Sequence, residues 1–89
     1  MKITVVGGGS TYTPELVEGL LLEAEALDLQ TVCLFDINET RLQVVGDMVK
    51  RMVNAKGNPF NVVNTTNRRE AITGADFVLT QIRVGGQQA

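Results

Sequence analysis

Short apolar runs alternate along the chain with longer segments in which apolar residues recur every three to four positions. The short runs predict strands at residues 2–6, 31–36, 60–65 and 77–82. Three of them lack the strict alternation of a half-exposed strand, which is typical of parallel strands covered on both faces. The run at 60–65 is more polar, so we expect that strand at the edge of the sheet.

The longer segments predict three helices. The first begins at Thr13-Pro14-Glu15, with Thr13 as the N-cap, because proline and an acid both favour the first turn of a helix. The second begins at an Asn38 cap and ends before Gly57-Asn58-Pro59, and a short third helix spans residues 68–73. The spacing in the second helix predicts an apolar face made of Leu42, Val45, Met48, Val49, Met52 and Val53.

The resulting order, β-α-β-α-β-α-β, predicts an α/β fold that is the N-terminal half of a Rossmann-type doubly wound parallel sheet. Right-handed crossovers then give the strand order 3-2-1-4. No linker, repeat or low-complexity segment divides residues 1–89, so we expect one unit. Because half of such a sheet ends in an open edge, we expect this unit to be an N-terminal fragment of a longer protein.

Composition narrows the classes of function. The net charge of −2 offers no attraction to nucleic acid or to an anionic membrane. No apolar run approaches the roughly 18 residues that span a bilayer, and no signal peptide is apparent, so we expect a cytoplasmic protein. The sequence contains no histidine, which excludes an imidazole base or ligand within it. Cys33 lies in an apolar run and is interpreted as a small buried hydrophobic residue.

A run of glycines, Gly7-Gly8-Gly9-Ser10, joins the first strand to the first helix. Two of them match the G-x-G-x-x-G pattern, and Tyr12 takes the place of the third glycine, which puts close helix–strand packing in doubt. Backbone without Cβ atoms lets a pyrophosphate approach, and a helix N-terminus favours the negative charge. The pattern predicts pyrophosphate contacts at Gly7, Gly9, Ser10 and Thr11.

An acid, Asp36, ends the second strand, where a carboxylate can accept hydrogen bonds from the adenosine ribose hydroxyls. It would repel the 2′-phosphate of NADP, so the residues favour NAD as cofactor. The alternative is that the glycines only form a turn and Asp36 caps the second helix together with Asn38. The loop after the fourth strand, which contains Arg83 and Gly86, is expected to face the nicotinamide half of the cofactor. Arg83 then contacts a phosphate or the substrate, or it pairs with a surface acid, and the sequence favours neither.

Two longer stretches, residues 7–19 and 75–86, resemble the start of the family 4 glycoside hydrolases, and most closely their 6-phospho-β-glucosidase branch. The resemblance implies an NAD- and divalent-metal-dependent enzyme, usually with manganese, that hydrolyses phosphorylated β-glucosides. It implies transient oxidation at carbon 3 of the sugar, elimination of the aglycone, addition of water and return of the hydride.

The same resemblance indicates which functional residues are expected within this sequence and which are not. The family's catalytic residues and metal ligands lie beyond Ala89, so we expect none here and an inactive fragment that binds cofactor at best. Asp76, which precedes the fourth strand, is interpreted as a turn or cap residue. The expected partners are a phosphorylated sugar and other copies of the same chain, with neither nucleic acid nor membrane.

Three alternatives share this half of the fold. An NAD-dependent hydroxy-acid dehydrogenase would consume NAD stoichiometrically, whereas the glycosidase would not accumulate NADH. A regulatory module that senses NAD would bind the cofactor without turning over a sugar phosphate. S-adenosylmethionine binding uses a similar glycine turn and acid, and competition with NAD would separate it.

Overall fold

In a computed structural model of the chain, residues 1–80 are described, and they form one parallel sheet with three helices. The strands are β1 (Lys2–Val6), β2 (Thr31–Phe35), β3 (Asn61–Thr65) and β4 (Phe77–Thr80). The helices are α1 (Thr13–Leu27), α2 (Glu39–Ala55) and α3 (Arg68–Ile72). The predicted order of elements and the α/β fold class are confirmed.

The strand order across the sheet is β3-β2-β1-β4, which confirms the order predicted from right-handed crossovers. β3 lies at one edge, as its polar sequence indicated. Val6 pairs with Phe35, and Phe35 pairs with Thr65, so the carboxyl ends of β1, β2 and β3 are level. The three connections that lead into helices therefore start from the same end of the sheet.

The hydrophobic core consists of a large cluster on one face of the sheet and a small cluster on the other. On one face of the sheet, α1 and α2 cover side chains that alternate along β1 and β2: Ile3, Val5, Val32 and Leu34. On the other face, the short α3 brings Ala71 against Cys33 and Phe35. Because helices cover both faces of β2, the side chains that point to either face are buried, which explains the unbroken apolar run of this strand.

The predicted N-cap of α1 is wrong. Tyr12 occupies the cap position with helix-like dihedral angles (φ −86°, ψ −11°), and no side chain caps the helix there. Since Tyr12 already follows the helical path, Thr13 is the first residue of the helix and cannot adopt the extended conformation of a capping threonine. The predicted cap of α2 is confirmed, because Asn38 Oδ1 accepts a hydrogen bond of 3.0 Å from the Arg41 N–H.

Met48 was predicted to belong to the apolar face of α2, but 43 % of it is exposed. The reason is the contact between α2 and β3. A Cβ added to Gly46 would meet the Asn64 side-chain amide at 2.2 Å, so the helix rests on the strand at this glycine. This contact turns Val45 and Val49 inward and Met48 to the flank of the helix.

The N-terminal strand closes onto the last helix and strand through polar contacts. The Lys2 N–H donates to Asp76 Oδ2 at 2.7 Å, so the Asp76 side chain joins β1 to the start of β4 rather than capping a helix. The Lys2 ammonium group donates to the Thr73 carbonyl at 2.8 Å, where a cation is favourable near the end of α3. In the interior, the Thr4 hydroxyl donates to the Ala71 carbonyl at 2.5 Å. These bonds fix α3 against β1.

Cys33 lies beneath α3 with 2 % of its surface exposed. Burial raises the pKa of the Cys33 thiol above its ordinary value of 9.0, and the nearby Lys2 opposes this effect while Glu70 adds to it. The thiol is therefore protonated at neutral pH, as expected of a structural cysteine rather than a nucleophile.

This burial predicts a pH dependence of stability. Above pH 9.0 the thiol of the unfolded chain loses its proton while the folded one keeps it, so the free energy of unfolding falls as the pH rises. The contribution of one thiol has a slope of at most about 1.4 kcal/mol per pH unit. Urea unfolding between pH 8 and 10.5 of the wild type and of Cys33→Ala measures it. Identical pH profiles for the two proteins would contradict the prediction.

Candidate nucleotide-binding site

The glycine turn between β1 and α1 is anchored on the last residue of β2. The N–H groups of Gly7 and Gly8 both donate to the Phe35 carbonyl oxygen at 2.8 Å. Gly7 has a φ of 83°, a conformation that side chains with a Cβ rarely adopt. The turn therefore lies directly over the carboxyl end of β2, at the position where ligands bind in open α/β sheets.

Gly8 makes the closest approach between the turn and the sheet, and sequence reasoning missed its role. A Cβ added to Gly8 would lie 2.7 Å from Leu34 Cβ and 3.0 Å from Leu34 Cα. Tyr12, in the third glycine's place, is 54 % exposed, and the close contact at Gly8 is between the turn and β2. The signal in the sequence was the unbroken run of three glycines, where G-x-G requires only two.

Asp36 is held against the turn by two backbone donors. The Gly9 N–H donates to its Oδ2 at 2.9 Å, and the Asn38 N–H donates to its Oδ1 at 2.9 Å. The structure therefore contains the helix-start contact that was the alternative interpretation of Asp36. The two interpretations are compatible, because a carboxylate has about four acceptor positions and these bonds take two of them.

The hydrogen bonds of the turn show which donors remain for a ligand. The N–H groups of Gly7, Gly9 and Ser10 are all used inside the protein, and the Tyr12 N–H donates to the Ser10 hydroxyl oxygen at 3.1 Å. Among the turn residues 7–12, the N–H of Thr11 and the hydroxyl protons of Ser10 and Thr11 make no hydrogen bond to residues 1–80. The two predicted glycines thus use their N–H groups within the fold.

Thr13 lies at the base of the turn, and its role was also missed. Its side chain is fully buried, and its Oγ1 makes no hydrogen bond within the described residues. A buried hydroxyl without a partner costs about 1–3 kcal/mol, which a bound water or ligand group would recover. This orphaned polar atom beside the turn fits a site that receives a polar ligand.

The connections after β1, β2 and β3 contain the same type of side-chain-to-backbone hydrogen bond. Ser10, Asp36 and Thr65 each accept a hydrogen bond from the N–H two residues later in the chain. After β2 and β3 an asparagine then caps the helix, since Asn67 Oδ1 accepts from the Glu70 N–H as Asn38 accepts from Arg41. Because uncharged hydroxyls make the same contact at Ser10 and Thr65, the negative charge of Asp36 is not needed for its bond to the Asn38 N–H.

Several expectations concern other parts of the chain. Arg83 and Gly86 lie outside the described residues. Within residues 1–80 no group of three or more His, Cys, Asp and Glu side chains is placed to hold a metal ion. In the same part of the chain, no helix combines the length and apolar character needed to cross a membrane.

Comparison with known proteins extends this picture. The sequence profile of the family 4 glycosyl hydrolases matches residues 2–89. A probable 6-phospho-β-glucosidase of Bacillus subtilis (strain 168) is 47 % identical over 91 residues, which is 100 % of this chain and 21 % of the relative. The chain thus spans about a fifth of the length of the curated relatives it matches.

The fold is shared with solved structures. The 6-phospho-β-glucosidase of Thermotoga maritima, with manganese, NAD⁺ and glucose-6-phosphate, has a TM-score of 0.86 and 41 % identity. This similarity covers 99 % of the present chain and 21 % of that one. A 6-phospho-α-glucosidase from gut microorganisms, in complex with NAD and glucose-6-phosphate, has a TM-score of 0.88 and 38 % identity, over 99 % and 20 % of the two chains.

The packing at Gly8 gives a prediction with a matched control. Gly8→Ala forces a Cβ against Leu34 and is expected to lower the free energy of unfolding by about 1–3 kcal/mol, the range for overpacking. Gly19→Ala, in the middle of α1 with nothing within 4 Å, is expected to raise it by about 0.5–1 kcal/mol. Chemical denaturation followed by circular dichroism compares the two. A tolerated alanine at Gly8 would show that the turn does not press on β2.

Proposed function

Since the chain belongs to the family 4 glycosyl hydrolases, we propose that it is the NAD-binding part of a 6-phospho-β-glucosidase. The observation that carries the proposal is the position of the Asp36 carboxylate. It is fixed beside the glycine turn, where the carboxyl ends of β1 and β2 lie side by side. A carboxylate in this place accepts hydrogen bonds from ribose hydroxyls.

The residues of the site fit the cofactor. The turn that contains Gly7 and Gly9 also carries the N–H of Thr11 and the hydroxyl groups of Ser10 and Thr11, which donate no hydrogen bond within residues 1–80 and can donate to the pyrophosphate. Asp36 is already oriented by two N–H groups, so it can receive the ribose without a change of rotamer. Similar chains crystallised with NAD support this assignment.

Bound NAD would supply a reversible hydride acceptor for carbon 3 of the sugar, which makes elimination of the aglycone and addition of water feasible. The work of residues 1–80 is to bind and orient that cofactor, and we assign no catalytic residue among them. Arg83 and Gly86 are proposed near the nicotinamide. The divalent metal, manganese in the Thermotoga maritima structure, would take its ligands from outside the described residues.

The substrate is proposed to be a phosphorylated β-glucoside. Relatives named 6-phospho-β-glucosidase reach 47 % and 40 % identity, and a relative named 6-phospho-α-glucosidase reaches 39 %. We further propose a cytoplasmic enzyme that assembles from several copies and has residues 1–89 as its cofactor-binding unit. Family membership favours this function over a hydroxy-acid dehydrogenase or a regulatory NAD sensor.

The role of Asp36 can be separated from its contact with Asn38. Asp36→Ala is expected to weaken NAD binding by about 1–3 kcal/mol, because ribose hydroxyls lose their acceptor. Thr65→Ala removes the corresponding bond after β3 and is the matched control. Isothermal titration with NAD should show a loss for the first variant only. Equal affinity of Asp36→Ala and the wild type would remove Asp36 from the site.

The activity is tested in the complete protein that carries this chain. Release of nitrophenol from its 6-phospho-β-glucoside, with manganese present, is expected to require NAD and to leave no net NADH. Stripping the cofactor should abolish release, and adding it back should restore release. Stoichiometric formation of NADH would point to the dehydrogenase instead, and NAD binding without any release would point to the sensor.

A further inference from the structure

Arg41 lies beside Asp36 at the glycine turn. A Cβ added to Gly9 would lie 2.8 Å from Asp36 Oδ2 and 3.2 Å from Arg41 Cβ, so both residues pack directly against Gly9. Arg41 belongs to the first turn of α2, and its side chain is exposed. Asp36 and the first side-chain carbon of Arg41 therefore adjoin the same glycine of the proposed adenosine site.

The fold does not account for a cation at this position. A positive charge in the first turn of a helix opposes the helix dipole, which favours acids there. The contribution of Arg41 to the start of α2 comes from its backbone N–H, which donates to Asn38 Oδ1 and would be present with any side chain except proline. None of the hydrogen bonds among residues 1–80 involves its guanidinium group. The guanidinium is thus available to a ligand.

We propose that Arg41 is a second determinant of nucleotide selectivity. Its guanidinium group can bind a phosphate on the adenosine ribose, but the negative charge of Asp36 repels that phosphate and prevents the contact. The inference rests on the proposed function, because it assumes that Asp36 faces the ribose. A guanidinium is suited to bind phosphate through paired, charge-assisted hydrogen bonds. An arginine near this acid is also the feature that accommodates the 2′-phosphate of NADP in nucleotide-binding sheets.

The consequence is that the preference for NAD depends on a single charge. With Asp36 present, the 2′-phosphate of NADP meets a carboxylate that two N–H groups hold in place and that cannot turn away without breaking both bonds. When that carboxylate is replaced by a hydroxyl, the repulsion disappears and Arg41 remains. The site should then accept NADP without any added positive charge.

The test uses a substitution that the chain itself suggests. Asp36→Ser places at the end of β2 the hydroxyl that Ser10 and Thr65 use after β1 and β3, so the bond to the Asn38 N–H can be kept. Asp36→Thr is the second variant in case serine does not fold. Dissociation constants for NAD and NADP are measured by isothermal titration in the complete protein that carries this chain, with circular dichroism as the check of folding.

Asp36→Ser is expected to bind NAD more weakly and NADP at least about tenfold more tightly than the wild type does. Adding Arg41→Gln should abolish the gain for NADP. Adding Arg51→Gln, a change of another exposed arginine of α2 far from the turn, should leave the gain intact.

The outcomes separate the two proposals. If Asp36→Ser gains no affinity for NADP, or if the gain survives Arg41→Gln, the role of Arg41 is overturned while the proposed function stands. If the wild type binds no NAD at all, the proposed function fails and this inference fails with it. A gain for NADP that requires Arg41 and not Arg51 supports the inference.

Discussion

The Phe35 carbonyl oxygen accepts hydrogen bonds from two successive N–H groups, those of Gly7 and Gly8, and the geometry of the site follows from this contact. It draws the turn so close to β2 that no side chain fits at Gly8. It also brings the Gly9 N–H to the carboxylate of Asp36, one residue beyond the anchoring carbonyl. The glycine turn and the carboxylate are thereby placed together, although they come from residues about 30 positions apart in the chain.

Most of the fold could be predicted because it depends on local patterns. Each of these patterns involves only a few neighbouring residues: the apolar runs of the strands, the apolar spacing of the helices and the Asn38 cap. The right-handedness of the crossovers then determines the order of the strands. Met48 was misplaced because the rotation of α2 about its axis is set by the contact of Gly46 with Asn64, a distant residue. Thr13 was misplaced because the turn before it already follows the helical path.

The sequence predicted that the glycine turn and Asp36 lie side by side, but it did not predict the hydrogen bonds that they make. Sequence position identified Gly7, Gly9 and Asp36, because a glycine turn and an acid after adjacent strands form a known pattern. The hydrogen bonds show different roles from those predicted. The glycine N–H groups donate within the fold, whereas the hydroxyl protons of Ser10 and Thr11 have no acceptor among residues 1–80. That division depends on tertiary contacts to Phe35 and Asp36, and local sequence does not encode it.

The position of β1 in the sheet has a consequence for the order of folding. β1 is synthesised first, but it lies between β2 and β4, and Lys2 is tied to Asp76 at the far end of the described chain. At about 5–20 residues per second, a ribosome would need on the order of several seconds to deliver that partner. During this interval β1 and β2 can already pair through α1, while the second edge of β1 stays open. The nascent protein thus exposes a strand edge that is prone to wrong pairing, and early chaperone contact would be of use there.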